Sequence, residues 1–227
     1  PVRLALGGKS GTEGSVNGFG GLSTGLIFGL ILLGGTGLRL WQLTSAPPGC
    51  TTVECAVGLR ILDWSLGRAD LSAGVNSVGM GLTVLGSLLF GLFEPGTATL
   101  RWLTACLGIL TLPLVFGLGR RLIPGPGGLA GGLMAMLLLA VNPLHIWFSR
   151  STTPLALAGP LVALHLWASV RALQERDRRW FALSGLSWGL LFVEAAPFRL
   201  FLLIWAALWL LLALSDNRAP VADRLFP

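Results

Sequence analysis

The stretch TLRWLTACLGILTLPLVFGLG, at residues 99–119, decides the fold class. It contains one charged side chain in 21 positions and is followed at once by Arg120 and Arg121. A helix of about 20 mainly apolar residues crosses the hydrocarbon layer of a bilayer. Basic residues directly after such a run are typical of its cytoplasmic end. The stretch therefore predicts a transmembrane helix whose C-terminal end lies in the cytoplasm.

Six further apolar runs give the rest of the chain the same character. The 227 residues are 53% hydrophobic and 11% charged, with a mean hydropathy of +0.76, whereas a soluble domain carries about 25% charged residues. A water-soluble globule is therefore excluded. Because backbone groups in lipid must be satisfied internally, each run that crosses does so as a helix, which predicts an all-α, polytopic transmembrane bundle. The runs lie at 21–41, 76–93, 127–141, 152–170, 180–193 and 198–214.

The formal net charge of +6 comes from basic residues between the runs, and fifteen of the sixteen cations are arginine. This placement indicates membrane topology rather than nucleic-acid binding, so no nucleic-acid partner is expected. The positive-inside rule puts the three main clusters in the cytoplasm but leaves two topologies with equal counts. Six spans result if 76–93 lies on the membrane surface, and seven if it crosses. The clusters are Arg120 and Arg121; Arg171, Arg176, Arg178 and Arg179; and Arg218 and Arg224.

The segment 42–71 differs from the rest because charges are interleaved with apolar residues at roughly helical spacing. This pattern predicts an amphipathic helix lying in the membrane interface. Cys50 and Cys55 share this segment and would form a local disulfide if it faces an oxidising compartment. Two free thiols are the default expectation. The apolar residues of the pattern are Val57, Leu59, Ile61, Leu62 and Leu66.

Glycines recur at intervals of four, as at 25 and 29, 128 and 132, and 185 and 189. Small residues at this spacing let helix backbones approach closely. We expect packing within the chain rather than dimerisation.

Several motifs in a fixed order resemble the GT-C membrane glycosyltransferases. The nearest group is glycosyltransferase family 39, the relatives of protein mannosyltransferases and aminoarabinose transferases. The resemblance covers roughly residues 36–215. It rests on LRLWQL at 38–43, PPG at 47–49, Glu54, FEPG at 93–96, LRW at 100–102, AVNPLH at 140–145, FSR at 148–150 and RWFALSG at 179–185.

The resemblance implies a fold and an activity. In this family the first external loop carries surface-lying helices, which favours six spans here and places 42–98 outside. Family members transfer a sugar from a polyprenyl-phosphate carrier to an acceptor at the outer membrane face. That chemistry requires a carboxylate to take a proton from the acceptor or orient it, and cations to stabilise the departing phosphate.

The resemblance also predicts a degenerate site. The family's Asp-Glu pair corresponds to Val53-Glu54, so valine occupies the position of the expected catalytic Asp. Family members commonly place a second arginine four residues after Arg150, where this chain has Pro154. The family enzymes are also longer, which makes this chain a truncated relative.

Other charged residues near span ends remain candidates, since ionisable groups at bilayer depth are expensive to bury. Glu54 or Glu194 would replace the missing acid, and Arg150 and Arg199 would bind a lipid phosphate. The alternative interpretation is that these are interfacial charges that pair with one another or reach water.

His165 lies inside an apolar run. It would ligate a haem or a chlorophyll, or simply bond a neighbouring carbonyl or hydroxyl. No second ligand accompanies it, and we expect no cofactor and no metal.

We predict an irregular tail at 1–20, a membrane bundle at 21–215 and a cytoplasmic tail at 216–227, in a bacterial inner membrane with both termini cytoplasmic. The favoured function is a catalytically impaired GT-C-like protein that serves as an accessory or structural subunit of a larger membrane complex. The alternative is an active glycosyltransferase with a polyprenyl-phosphate donor. The expected partners are membrane lipids, other membrane subunits and, for the alternative, the polyprenyl-phosphate sugar.

Overall fold

A computed structural model describes residues 16–45, 48–68, 79–194, 199–200 and 203–207. The described chain is helical and contains no strand, as predicted. Residues 1–15 and 216–227 of the predicted tails lie outside the described residues, whereas residues 16–20, predicted to be irregular, belong to a helix. The helices are α1 (Val16–Leu40), α2 (Thr52–Ser65), α3 (Met80–Phe90), α4 (Thr97–Leu122), α5 (Gly127–Val141), α6 (Pro143–Arg150), α7 (Ala158–Glu175) and α8 (Arg178–Glu194).

The long helix α4 is the centre of the bundle and packs against α5, α7 and α1. The bundle has two ends. The loop end holds α2, α3 and α6 and the C-terminal ends of α1, α5 and α8. The turn end holds the short connections 123–126, between α4 and α5, and 176–177, between α7 and α8. The candidate residues of the site belong to the loop end, whereas the arginine clusters at 120–121 and 171–179 belong to the turn end.

The predicted count of six spans is not confirmed. Two helical segments of the described chain are long and apolar enough to cross a membrane, Ser23–Leu40 and Thr97–Leu122. A third crossing is possible if α5 and α6 count as one span, although they are bent by 61°. Helix α8 has 17 residues, at the lower limit of the range of about 17–25 for a span, and the run 198–214 lies mostly outside the described residues.

Helix α2 follows the predicted apolar pattern only in part, because Leu59 and Leu66 of that pattern are exposed. Helix α2 buries Val57 and Ile61 on one face, and these residues form a core with Leu82 of α3 and Leu100 of α4. Helix α3 is the described part of the run 76–93. Its 11 residues extend about 16 Å, which is too short to cross a hydrocarbon layer of about 30 Å.

Two glycines bring α4 and α5 into backbone contact. A Cβ on Gly128 would meet the Arg120 carbonyl oxygen at 2.5 Å, and one on Gly132 would meet the Phe116 carbonyl oxygen at 2.7 Å. The prediction of close internal packing is confirmed for this stripe. It is not confirmed for the stripes at 25 and 29 or at 185 and 189, where an added Cβ meets no described atom within 4 Å.

Candidate functional site at the loop end

Glu54 is a buried and densely bonded side chain of the loop end. It is 2% exposed, and Nε and Nη2 of Arg101 each donate to one carboxylate oxygen at 3.1 Å. The backbone N–H groups of Thr51 and Thr152 also donate to it, both at 3.1 Å. The Thr51 hydroxyl accepts from the Glu54 N–H at 3.2 Å, which completes a capping box at the start of α2. The carboxylate therefore accepts four hydrogen bonds.

The surroundings of Glu54 lower the pKa of its carboxyl group from the ordinary value of 4.5. Burial acts in the opposite direction because it disfavours the charged form, but the hydrogen bonds from Arg101, Thr51 and Thr152 outweigh it. Glu54 is thus an ionised carboxylate with reduced basicity. Its neighbour Val53 is half-exposed, so the position of the family's missing acid faces outward from α2.

Arg101 ties the loop to α4 as well as pairing with Glu54. It is 1% exposed, and its Nη2 donates to the Gly49 carbonyl at 2.7 Å. Cys50, the next residue, forms a disulfide with Cys55, so the default expectation of two free thiols is wrong. These cysteines are five positions apart in the sequence, and the turn before α2 brings their Cα atoms to 5.8 Å. The turn that positions Glu54 is therefore fixed from both sides.

Arg39 and His145 form a second buried cluster, which the sequence reasoning missed. Nη1 of Arg39 donates to the carbonyls of Gly35 and Ala140, at 2.7 and 3.2 Å. Its Nη2 donates to the Leu139 carbonyl at 3.3 Å and to Nδ1 of His145 at 2.8 Å. Because a guanidinium only donates, Nδ1 accepts, and the proton of a neutral His145 lies on Nε2. The available signal was a lone arginine at the end of an apolar run.

Arg150 joins α6 to the end of α1. Its Nη1 donates to the Leu38 carbonyl at 3.1 Å and its Nη2 to the Gln42 carbonyl at 3.4 Å. These carbonyls lie at or just beyond the C-terminus of α1, where helix oxygens lack internal partners. Arg150 therefore caps a helix.

Glu194 and Arg199 also bond helix ends. The Glu194 carboxylate accepts from the N–H groups of Gly81 and Leu82, at 2.6 and 3.3 Å, and so caps the N-terminus of α3. Nε of Arg199 donates to the Phe192 carbonyl at 3.2 Å, and its guanidinium lies 5.3 Å from the centre of that ring. Glu194 thus replaces the cap that Gly79, at the N-cap position, lacks.

The predicted site residues are only partly brought together. Glu54 bonds the backbone of Thr152, two residues after Arg150, so these two candidates belong to one region. Arg199 lies against α8, whereas Arg150 lies against α1. The two residues predicted to bind phosphate, Arg150 and Arg199, therefore contact different helices.

A cavity of about 200 Å³ lies beside this region, between α4, α6 and the start of α7. His145 and the hydroxyls of Thr104, Thr111 and Ser149 line it. Each hydroxyl donates to a carbonyl of its own helix, which leaves its lone pairs as acceptors. The cavity wall is otherwise mainly apolar.

His165 is 1% exposed in the interior of the bundle. Its Nδ1 lies 3.1 Å from the Ser184 carbonyl oxygen, which is the bond that a structural histidine makes. The rings of Trp188 and Trp205 lie about 6 Å away, at 6.2 and 6.1 Å between centroids. Within the described ranges, no three His, Cys, Asp or Glu side chains are grouped for metal binding.

Together these observations describe an integral membrane protein of the GT-C glycosyltransferase type. Residues 80–225 match the family described as dolichyl-phosphate-mannose-protein mannosyltransferase. The match spans more than half of the chain, and the protein belongs to this family. No curated protein and no solved structure matches it. The matched region includes Arg101, Arg150 and Glu194, whereas the pair Val53-Glu54 precedes it.

Proposed function

We propose that this protein is a catalytically impaired GT-C glycosyltransferase homologue that serves as an accessory or structural subunit in a membrane complex. The observation that carries the proposal is the four-fold hydrogen bonding of Glu54. The remaining carboxylate of the family's Asp-Glu pair stabilises the fold here and does not replace the missing acid.

A general base needs a free lone pair directed at the acceptor and a pKa near the working pH. Glu54 meets neither requirement, since Arg101, Thr51 and Thr152 bond its oxygens and its pKa is lowered. Release of the carboxylate would also leave the buried Arg101 guanidinium without its counter-ion, at a cost of several kcal/mol.

Val53, the residue that faces outward from α2, has no group that could act as an acid or a base. Val53 is half-exposed at the start of α2, where an aspartate would be accessible to an acceptor. A valine side chain neither takes a proton nor binds an ion. Pro154, at the position of the family's second arginine, likewise supplies no charge for a departing phosphate.

An accessory role requires a surface for another subunit, and α1 offers one. Leu26, Leu30 and Leu33 are exposed on it, and Cβ atoms added to Gly25 and Gly29 would meet no described atom within 4 Å. Lipid covers such a face in an isolated chain, and a partner helix would replace that lipid. The proposal places the protein in a bacterial inner membrane, with both termini cytoplasmic and α2 outside.

The partner surface is testable by substitution on α1. Gly29→Ile alters a face that the rest of the described chain leaves open, and Gly189→Ile on α8 is its matched control. We expect a stoichiometric membrane subunit to copurify with the unaltered chain and the control but not with Gly29→Ile. Copurification of the subunit with the unaltered chain and with both variants would show that α1 is not the interface.

The alternative function is an active glycosyltransferase in which Glu54 handles the proton and Arg150 and Arg199 hold the carrier phosphate, with Glu194 as a substitute acid. Family membership and the cavity beside His145 favour it. In this case the polyprenyl-phosphate sugar is the donor, and transfer takes place at the outer face.

A transfer assay distinguishes the two functions. The purified chain would be supplied with labelled polyprenyl-phosphate mannose and aminoarabinose, and with lipid and peptide acceptors from membrane extracts. We expect no transfer above background, either from the unaltered chain or from Val53→Asp. Measured transfer by the unaltered chain would overturn the proposed impairment. Loss of that transfer in folded Glu54→Gln, but not in Glu94→Gln, an exposed acid, would assign the proton transfer to Glu54.

A further inference from the structure

The turn end of the bundle carries more arginines than acidic residues. Six arginines and only two acids, Glu175 and Asp177, occur at 120–121 and 171–179. We propose that four of these arginines form a binding surface for the phosphate groups of anionic phospholipids. This headgroup surface consists of Arg120, Arg176, Arg178 and Arg179.

The other two arginines, Arg121 and Arg171, form ion pairs within the protein. Glu175 pairs with Arg121 and Arg171, both at 2.9 Å. Arg121 also exchanges two hydrogen bonds with Gln174, at 3.2 and 3.1 Å. These contacts join the end of α4 to the end of α7 and occupy the nearest acid.

The four arginines of the headgroup surface are exposed. Over the parts of the chain that the structure describes, none of them forms a salt bridge. Asp177 belongs to none of the salt bridges of the described residues, and its Oδ1 accepts from the backbone N–H of Arg179 at 3.0 Å. Their positive charge is therefore available to an external anion.

Apolar and aromatic side chains place this charge at a membrane rather than in open solvent. Leu122, Ile123 and Phe181 are exposed beside the arginines. The Arg171 guanidinium lies 3.7 Å from the centre of the Trp180 ring and 5.2 Å from that of Trp167. Tryptophan, exposed apolar groups and arginine together are typical of the headgroup layer.

The chemistry of the residues favours phosphate. A guanidinium binds phosphate oxygens through two parallel hydrogen bonds, and each basic residue near an anionic bilayer surface contributes about fivefold in affinity. A polyanion such as RNA would use the same charges but gains nothing from Leu122, Ile123 and Phe181. The apolar border therefore favours a phospholipid.

The test uses the full chain in mild detergent, with phosphatidylglycerol as the probe. The double variant Arg178→Gln/Arg179→Gln is compared with Arg60→Gln/Arg68→Gln, a pair at the opposite end in which Arg68 is exposed and Arg60 is partly buried. Native mass spectrometry would count bound lipid, and thermal unfolding would record stabilisation. Phosphatidylcholine, inorganic phosphate and transfer RNA are separate arms.

We expect phosphatidylglycerol to bind and stabilise the unaltered chain and the control pair, with affinity reduced about 25-fold in Arg178→Gln/Arg179→Gln, at about fivefold for each arginine. Phosphatidylcholine and inorganic phosphate should bind at least tenfold more weakly. Equal binding by all variants, equal stabilisation by inorganic phosphate, or preferential binding of transfer RNA would each overturn the proposal. Gel filtration of every variant establishes that the fold is retained.

Discussion

The two ends of the bundle use charge in opposite ways. At the loop end, Glu54, Arg101 and Arg39 are at most 2% exposed, and each is bonded within the protein. At the turn end, Arg178 and Arg179 are exposed and form no salt bridge with any described residue. The cost of burying a charge explains the difference, since a buried charge needs an internal partner and an exposed one has water or lipid. An acid at a position that resembles a family's catalytic site is therefore weak evidence for catalysis when the oxygens of that acid already accept hydrogen bonds within the protein.

The largest effect is expected at the centre of the loop end. Glu54→Gln removes the counter-ion of the buried Arg101, and the loss of one partner of a buried pair costs about 3–5 kcal/mol. Chemical unfolding in detergent would measure the free energy. The exposed Glu94→Gln should change it by less than about 0.5 kcal/mol. A loss of that small size for Glu54→Gln would mean that the pair is not structural.

A smaller effect is expected at the second loop-end cluster. Arg39→Met removes the donors that bond the Leu139 and Ala140 carbonyls at the end of α5, and we expect about 2 kcal/mol of destabilisation. Chemical unfolding checks the value. The same readout on Arg68→Gln, an exposed arginine, serves as the control. An unchanged transition for Arg39→Met would show that water replaces the guanidinium at no cost.

Acid should weaken the loop end selectively. The folded pKa of Glu54 is lowered from its ordinary value of 4.5. Its contribution to stability is therefore complete above about pH 4.5 and is lost as pH falls through the folded pKa. The difference in stability between the unaltered chain and Glu54→Gln should thus shrink between pH 5 and pH 3. Thermal unfolding across this range would measure it, and a constant difference would contradict an ionised Glu54.

The smallest effect is expected at the turn end. Glu175→Gln removes the partner of Arg121 and Arg171, but these side chains are partly exposed, and exposed ion pairs contribute little. Trp180 still covers Arg171. We expect an unchanged midpoint of thermal unfolding. A loss as large as that of Glu54→Gln would remove the distinction between the two ends.

The helical class and helix α2 were predictable because they depend on local pattern. The apolar runs predicted helices, and the interleaved segment predicted α2, although only Val57 and Ile61 of its five apolar residues are fully buried while Leu59 and Leu66 are exposed. The span count was not predictable from the runs alone. Pro143 begins a new helix, which bends the run after Val141 by 61°, and the run at 180–193 forms a 17-residue helix.

The site was less predictable because the side chains that bond one another in it are distant in sequence. Glu54 and Arg101 are 47 residues apart, and Arg39 and His145 are 106 apart. The motifs identified Glu54 and Arg101 separately but did not indicate that they bond. Tertiary packing of α2 against α4 decides that contact, and the family resemblance alone assigned Glu54 a chemical role.

A double-mutant cycle on Glu54 and Arg101 tests the central claim most directly. Unfolding free energies would be measured for the unaltered chain, Glu54→Gln, Arg101→Gln and the double variant. With about 3–5 kcal/mol lost by each single variant, we predict that the double variant is less stable than either single by only about 1–2 kcal/mol, which is a coupling energy of about 2–3 kcal/mol. Additive losses, with a coupling below about 0.5 kcal/mol, would contradict a structural role for Glu54.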